Sequence, residues 1–383
     1  MKLPEQSSSP FSAGFSLIEV MVGMVIAMLG ILVMTQIFMM SEGQKRTTTG
    51  GDDAQNSGAI GLFALQRDLR HAGWGTSNFK LIGCDVVFRA GVTIPNMAPV
   101  TINPPVAVVP AGDANTDTLL VISGSTNGSP EGDGITSQPA ANIYAVQTPT
   151  SFATNDWVVA MPQARQTPCS GANQLRLDRV TASAAPNVSV TTGVASMSNG
   201  TLFNFGQTVR ATAYAIRGGA LTQCDYIADD CSNAGSVANA AVWVPVADGI
   251  VSMRAQYGRD TTTPGMDAII DADGWDQLTP ATVATLACDW TRIGALRIAL
   301  VARSGMYEKD NVTAASNPST TPGLPPKPIW EGEYTTPGNT NAPGNARPIN
   351  LTADANWQHY RYKVFQTVIP LRNISWQGVQ TGC

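Results

Sequence analysis

The chain has 383 residues with 28 acidic and 23 basic side chains, a net charge of -5 with both histidines neutral. No basic patch stands out, which argues against nucleic acid as a partner. Charged residues make up only 13% while Gly (36) and Pro (25) are abundant, a composition suited to a β-rich extracytoplasmic head with long polar loops.

The first informative stretch is Gly14-Phe15-Ser16-Leu17-Ile18-Glu19-Val20, which opens an apolar run to Met40. As a helix this run spans roughly 39 Å, enough to cross a bilayer core of about 30 Å. Glu19 is its only charge. A carboxylate deep in an apolar helix costs about 2.5–3.5 kcal/mol and needs a partner. The cheapest one is a positive charge on another copy or relative of the same helix. Residues 1–14 carry Lys2, Glu5 and Ser7-Ser8-Ser9-Pro10, which read as a processing segment outside the fold.

This pattern resembles the amino terminus of type IV pilins and of type II secretion pseudopilins. The resemblance implies cleavage after Gly14 by a prepilin peptidase and N-methylation of the new first residue, Phe15. It also implies that Glu19 serves filament assembly by meeting the amine of a neighbouring subunit. Major pilins carry a helix-kinking proline where this chain has Gln36, so the likeness is to a minor pilin or pseudopilin. Gly23 and Gly30 would permit close approach of a second helix.

Beyond Met40 the sequence turns polar, and Gly50-Gly51 should weaken the helix locally. If the helix restarts there, Asp52 or Asp53 could serve as its cap. Ala59, Leu62, Leu65, Leu69 and Ala72 then form an amphipathic stripe closed by Gly73, which should lie against a sheet. The segment Arg67-Asp68-Leu69-Arg70-His71-Ala72-Gly73-Trp74 resembles the PilW family of minor pilins and is similar to the J-type minor pseudopilin. Three later segments strengthen the PilW likeness: Asp248 to Gly258, Leu296 to Ser304, and Tyr360 to Asn373 with its closing Pro370-Leu371-Arg372-Asn373. Residues 95–240 match no known pattern and read as family-variable decoration.

From Cys84 onward, β-favouring runs occur at 86–94, 118–123, 156–161, 175–180, 208–216, 241–246, 250–257, 293–302 and 360–370. The last alternates apolar with polar residues, so one face should be buried and the other wet. The Pro-rich stretch 308–356 should be an excursion without helix. The expected fold is therefore α+β and pilin-like, a long N-terminal helix packed on an antiparallel β-rich head. Residues 1–14 form the leader, 15–40 the transmembrane and filament-core helix, 41–74 its second half, and 75–383 the periplasmic head.

Cys84, Cys169, Cys224, Cys231, Cys288 and Cys383 form an even set without C-x-x-C, pointing to disulfides in an oxidising compartment. Only Cys224 with Cys231 is suggested by proximity. Lys45 and Arg46 beyond the apolar run oppose the positive-inside rule; the cysteines and the resemblance place the head outside.

No nucleotide-binding, hydrolase or zinc-protease motif occurs, and no cofactor is implied. His71, at a helix end, should hold terminal carbonyls rather than act in chemistry. The one acidic cluster, around Asp271, Asp273 and Asp276, offers a weak calcium candidate. Its twelfth position is Thr282 instead of the closing Glu of an EF-hand, and a solvated hairpin is the preferred reading. A signal-anchored periplasmic enzyme or calcium-dependent binding module is a remote alternative.

The resemblance implies a non-enzymatic minor pilin that primes type IV pilus assembly and sits near the tip, with other minor pilins, the major pilin and a tip adhesin as partners. It implies a single-pass place in the inner membrane before assembly, and a part in adhesion and twitching motility. The alternative is a J-type pseudopilin of a type II secretion system. A head of about 300 residues is bulky for a densely repeated subunit, which favours low copy number.

Overall fold

The computed structural model describes residues 14, 16–89, 91–125, 129–261, 272–282, 285–333, 346–375 and 383. Two compact units divide between Gly50 and Gly51. The long helix α1 (Leu17–His71) has 55 residues. Gly50 and Gly51 lie within it, and the helix runs on as the expected second half. Each glycine costs a helix about 1 kcal/mol relative to alanine, which lowers local stability without forcing a break. Asp52 and Asp53 are accordingly exposed helix residues, and no restart needs a cap.

In the first unit α1 presents its apolar side chains outward all round, from Leu17 at 79% exposure to Met40 at 69%. By length and composition this helix can cross a membrane. In the second unit the remainder of α1 is amphipathic. Its covered face is Ala54, Gly58, Gly61, Leu65, Leu69 and Ala72. Ala59, expected inside, is exposed, and Leu62 is half-buried. The missed members are two glycines. A Cβ on Gly58 would lie 2.1 Å from Phe365 Cε2, and one on Gly61 would lie 3.2 Å from Leu300 Cδ1. The helix backbone therefore seats almost directly on the strands.

The head contains three sheets among the described residues. The carboxy-terminal sheet runs Gly274–Asp276, Ile250–Arg259, Ile293–Arg303, Tyr362–Pro370, all antiparallel. The middle sheet runs Val244–Asp248, Ala220–Asp225, Arg210–Arg217, Leu119–Ser123, Val100–Ile102. The third has eight strands from Val86 to Gly206, with one parallel pair, Val86–Arg89 beside Leu175–Ala184. All nine expected strand regions are present, the first as a hairpin of Val86–Arg89 and Val92–Ile94.

Residues Leu65 and Leu69 share one core with Leu119, Tyr214, Leu221, Met253, Ile298 and Leu300. Parts of 95–240 thus supply strands beneath the helix, and decoration is the wrong description for them. The strand Tyr362–Pro370 also departs from the one-wet-face expectation. Phe365 and Ile369 join the helix-side core, while Tyr362 and Val364 pack on the other side with Trp330, Leu351 and Trp357. Among its described residues the Pro-rich excursion carries one 3-10 turn, Glu331–Glu333, and another, Trp357–His359, follows it. The excursion roofs that second face.

Three disulfides brace the head: Cys84–Cys169, Cys224–Cys231 and Cys288–Cys383. The last fastens the terminal residue to the short helix α2 (Leu286–Thr291).

Leu65 is fully buried on the helix's sheet side, whereas Ile60 is 57% exposed. Leu65→Ala is expected to cost about 2–5 kcal/mol, and Ile60→Ala less than about 0.5 kcal/mol. Chemical unfolding of the detergent-purified chain, followed by tryptophan fluorescence, checks the contrast; equal losses would place the helix face wrongly.

Candidate assembly site

Gly14 is described and exposed; Phe15, the expected methylation site, lies outside the described residues, as does the rest of the leader. Helix α1 starts with the Glu19 and Val20 amides both donating to the Ser16 carbonyl. Glu19 is exposed among apolar neighbours, and among the described residues no cation pairs with its carboxylate. Thr35 folds its hydroxyl back onto the Ile31 and Leu32 carbonyls, each at 2.9 Å. This satisfies the hydroxyl without water. Polar demand on the segment is thus reduced to Gln36 and one carboxylate. Nothing lies within 4 Å of where a Cβ would stand on Gly23 or Gly30, leaving those notches open. Such a surface can bind lipid or further apolar helices.

The Arg67 to Trp74 segment forms the other end of the helix. Arg67 Nε donates to Asp68 Oδ1 at 2.9 Å, and the Tyr214 hydroxyl donates to Asp68 Oδ2 at 2.5 Å. Asp68 therefore holds the helix to the middle sheet. Burial, reinforced by the Asp68 charge, pushes the Tyr214 hydroxyl far above its ordinary range. His71 places Nδ1 2.7 Å from the Arg67 carbonyl, the contact expected of it. Gly73 follows with φ +79°, the left-handed turn that closes helices. Its amide donates to the Ile122 carbonyl at 2.8 Å.

Asn373 completes the closure. Its side-chain amide donates to the Ala72 carbonyl at 2.9 Å and to the His71 carbonyl at 3.4 Å. Helix ends leave carbonyls without intrahelical partners. Here the last residue of the closing Pro-Leu-Arg-Asn segment supplies the donors.

The three PilW-like segments, read from sequence as plain core strands, lie side by side in the carboxy-terminal sheet. They also meet buried charges whose partners no sequence spacing announces. Asp117, 4% exposed, accepts from Arg254 Nη1 at 3.3 Å, the Ala255 amide at 3.0 Å and Gln277 Nε2 at 2.6 Å. Arg297 lies between the rings of Trp275 and Trp330, 4.6 and 5.6 Å from their centres, and donates to Gln256 Oε1 at 2.7 Å. Burial lowers its pKa to about 10. The available signal was an arginine interrupting an apolar strand, Leu296-Arg297-Ile298.

At the calcium candidate, Asp271 lies outside the described residues. Asp273 Oδ1 accepts from the Thr261 amide and hydroxyl, both at 2.9 Å. Asp276 is held by Arg259 Nε at 2.8 Å and by the Leu278 amide. These carboxylates serve a hairpin, and among the described residues no group of three or more ligands could hold a metal ion. His359 likewise engages a backbone carbonyl, that of Glu308, at 2.9 Å.

Residues 230–373 match the family model described as Type IV Pilus-assembly protein W. The matched span contains all three strand segments and ends at Asn373. No curated protein matches the chain. Among solved structures the chain is similar to a type IV-like pilin from Thermus thermophilus, 11% identical, covering 84% of this chain and 96% of that one with a TM-score of 0.35.

Asp68→Ala would leave the buried Tyr214 hydroxyl without its acceptor, a loss of about 1–3 kcal/mol that Tyr214→Phe in the same chain largely restores. Chemical unfolding of the single and double variants measures it. A pH effect follows from the same burial. Unfolded tyrosine ionises near about pH 10, whereas Tyr214 holds its proton well above that and Tyr144 and Tyr257 are pushed up to about 12. Above about pH 10 the folded state therefore binds more protons than the unfolded one, so stability is intact below that pH and falls as pH rises. The urea midpoint should drop between about pH 8 and about pH 11, and less so in Tyr214→Phe.

Proposed function

We propose, on the premise that residues 230–373 are those of a type IV pilus-assembly W protein, that the chain works as a minor pilin. The observation that carries this reading is the exposed apolar helix whose single charge, Glu19, has no cation beside it among the described residues. A chain built this way is stable only where lipid or other apolar helices cover Leu17 to Met40. It waits in the inner membrane with its head in the periplasm, where three disulfides are at home.

The prepilin peptidase then cuts after Gly14, and Phe15 is N-methylated. Glu19 meets the Phe15 amine of an adjacent subunit, which removes the cost of an isolated carboxylate. Other minor pilins, the major pilin and a tip adhesin are the partners. The complex primes filament growth and stays near the tip, a place that suits a large head present in few copies. Contribution to adhesion and twitching motility follows from that place.

Gly14→Val is expected to leave an uncut precursor, visible as a larger band on an immunoblot; normal processing would count against the leader. Glu19→Ala is expected to insert and be cut but to enter pili poorly. It leaves the neighbouring amine without its counter-charge, at about 3–5 kcal/mol for a buried pair broken on one side. Wild-type amounts in sheared pili would refute the role given to Glu19, and cryo-microscopy finding this head repeated along the shaft would refute the tip position.

A further inference from the structure

The helix side of the middle sheet changes character along its strands. On that side Val121 is followed by Ser123, Tyr214 is preceded by Thr212 and Arg210, and Leu221 gives way to Gln223 and Asp225. The ladder sets Arg210 opposite Ser123, and Thr212 between Val121 and Asp225, so these side chains share one face. An apolar core thus turns polar where the helix runs out. There the last turn of α1 and the sheet flank an open cavity of about 370 Å³, whose lining includes Arg67, His71, Ser123, Arg210 and Thr212. A second cavity of about 470 Å³ shares Arg67, Arg210 and Thr212 with it and continues to Asp225, Asp229, Val242 and Val244.

The polar groups of this groove are largely unspent. Ser123 is 6% and Thr212 9% exposed, yet among the described residues neither hydroxyl makes a hydrogen bond. Buried hydroxyls are normally paired, so two together facing one cavity call for a ligand. The Arg210 guanidinium has no hydrogen bond or ion pair among the described residues, and Arg67 commits only Nε, to Asp68. Asp68 itself is fully engaged, one oxygen by Arg67 and the other by Tyr214. The helix-end carbonyls, which would repel an anion, are covered by His71 Nδ1 and by the Asn373 amide. Negative charge remains only toward the far end, at Asp225 and Asp229.

We propose that this groove binds a sugar acid, with its carboxylate between Arg210 and Arg67 and its hydroxyls on Ser123, Thr212 and Asp225. Guanidinium groups match a planar carboxylate. The two buried hydroxyls and the carboxylates then serve the ring hydroxyls, the carboxylates accepting only. Those same carboxylates repel a second negative charge, so a phosphate or sulfate dianion fits worse than a single carboxylate. Val242 and Val244 offer an apolar surface to the ring's C–H face. The volume is that of a small-ligand site. This binding stands apart from the pilin reading, since a chain that binds no sugar can still be cut at Gly14 and enter pili.

The test is ligand-observed NMR titration of the full chain in detergent with galacturonate. Galactose, galactose 6-phosphate and glutamate are the comparison probes, removing the charge, doubling it and removing the hydroxylated ring. Galacturonate is expected to saturate with a Kd near about 1 mM, the strength that a small polar ligand reaches, and each comparison probe to bind at least about tenfold more weakly. Arg210→Gln should weaken galacturonate at least about tenfold. Thr212→Val and Ser123→Ala should each weaken it about threefold or more without lowering the melting temperature, because neither hydroxyl is bonded in the free chain. Tighter binding of trigalacturonate would make a polymer the source and equal binding the free acid; both support the site. The proposal fails if galacturonate shows no saturation below about 10 mM. It also fails if any comparison probe binds as well, or if Arg210→Gln and Thr212→Val both fold and bind galacturonate like the wild type.

Discussion

The core that joins the helix to the head depends on a helix that comes closer to a sheet than side chains normally allow. At Gly58 and Gly61 there is no side chain on the contact face, and Phe365 and Leu300 fill the space. Close-packed interiors tolerate little change of volume at such a point. The approach distance set there governs whether Leu65 and Leu69 reach the core and whether Asp68 reaches Tyr214. The end of the helix is then held from a distant part of the sequence, through the Asn373 side chain. Two stretches about 300 residues apart thereby become one structural device. That explains why the Arg-Asp-Leu-Arg segment and the Pro-Leu-Arg-Asn segment occur in the same chain.

Buried charge is the second organising feature. Asp117 gathers donors from three separated parts of the chain, and Arg297 is enclosed by two tryptophans and Gln256. Desolvating such groups is costly, and the compensation depends on every partner being in place. Their effect falls on register. A strand slipped by one residue would turn Arg297 toward the apolar helix side. The PilW-like strand segments thus hold positional information as well as core side chains.

Much of the architecture was legible in the residues. The apolar run with a lone glutamate, the helical stripe ending at Gly73, the strand regions and the oxidised cysteines all follow from period, composition and turn chemistry. The failures have identifiable causes. Ala59 was placed inside because counting apolar residues gives glycine no weight, although Gly58 and Gly61 define the true contact face. Whether Gly50-Gly51 weakens the helix or ends it is not settled by propensity, which is local; the helix continues through both. The second buried face of Tyr362–Pro370 was hidden because its cover arrives from the Pro-rich excursion, with no periodic signal of its own. The partners of Asp117 and Arg297 are tertiary facts, and no spacing in the sequence brings them together.

The bond from Cys288 to Cys383 encloses the Pro-rich excursion within one covalent ring. Exposed loops of this composition are where proteases cut first. A nick anywhere between those two cysteines leaves both fragments attached, with the roofing segment and the final strand still tethered to the rest of the head. A cut in this loop is therefore survivable without loss of any part.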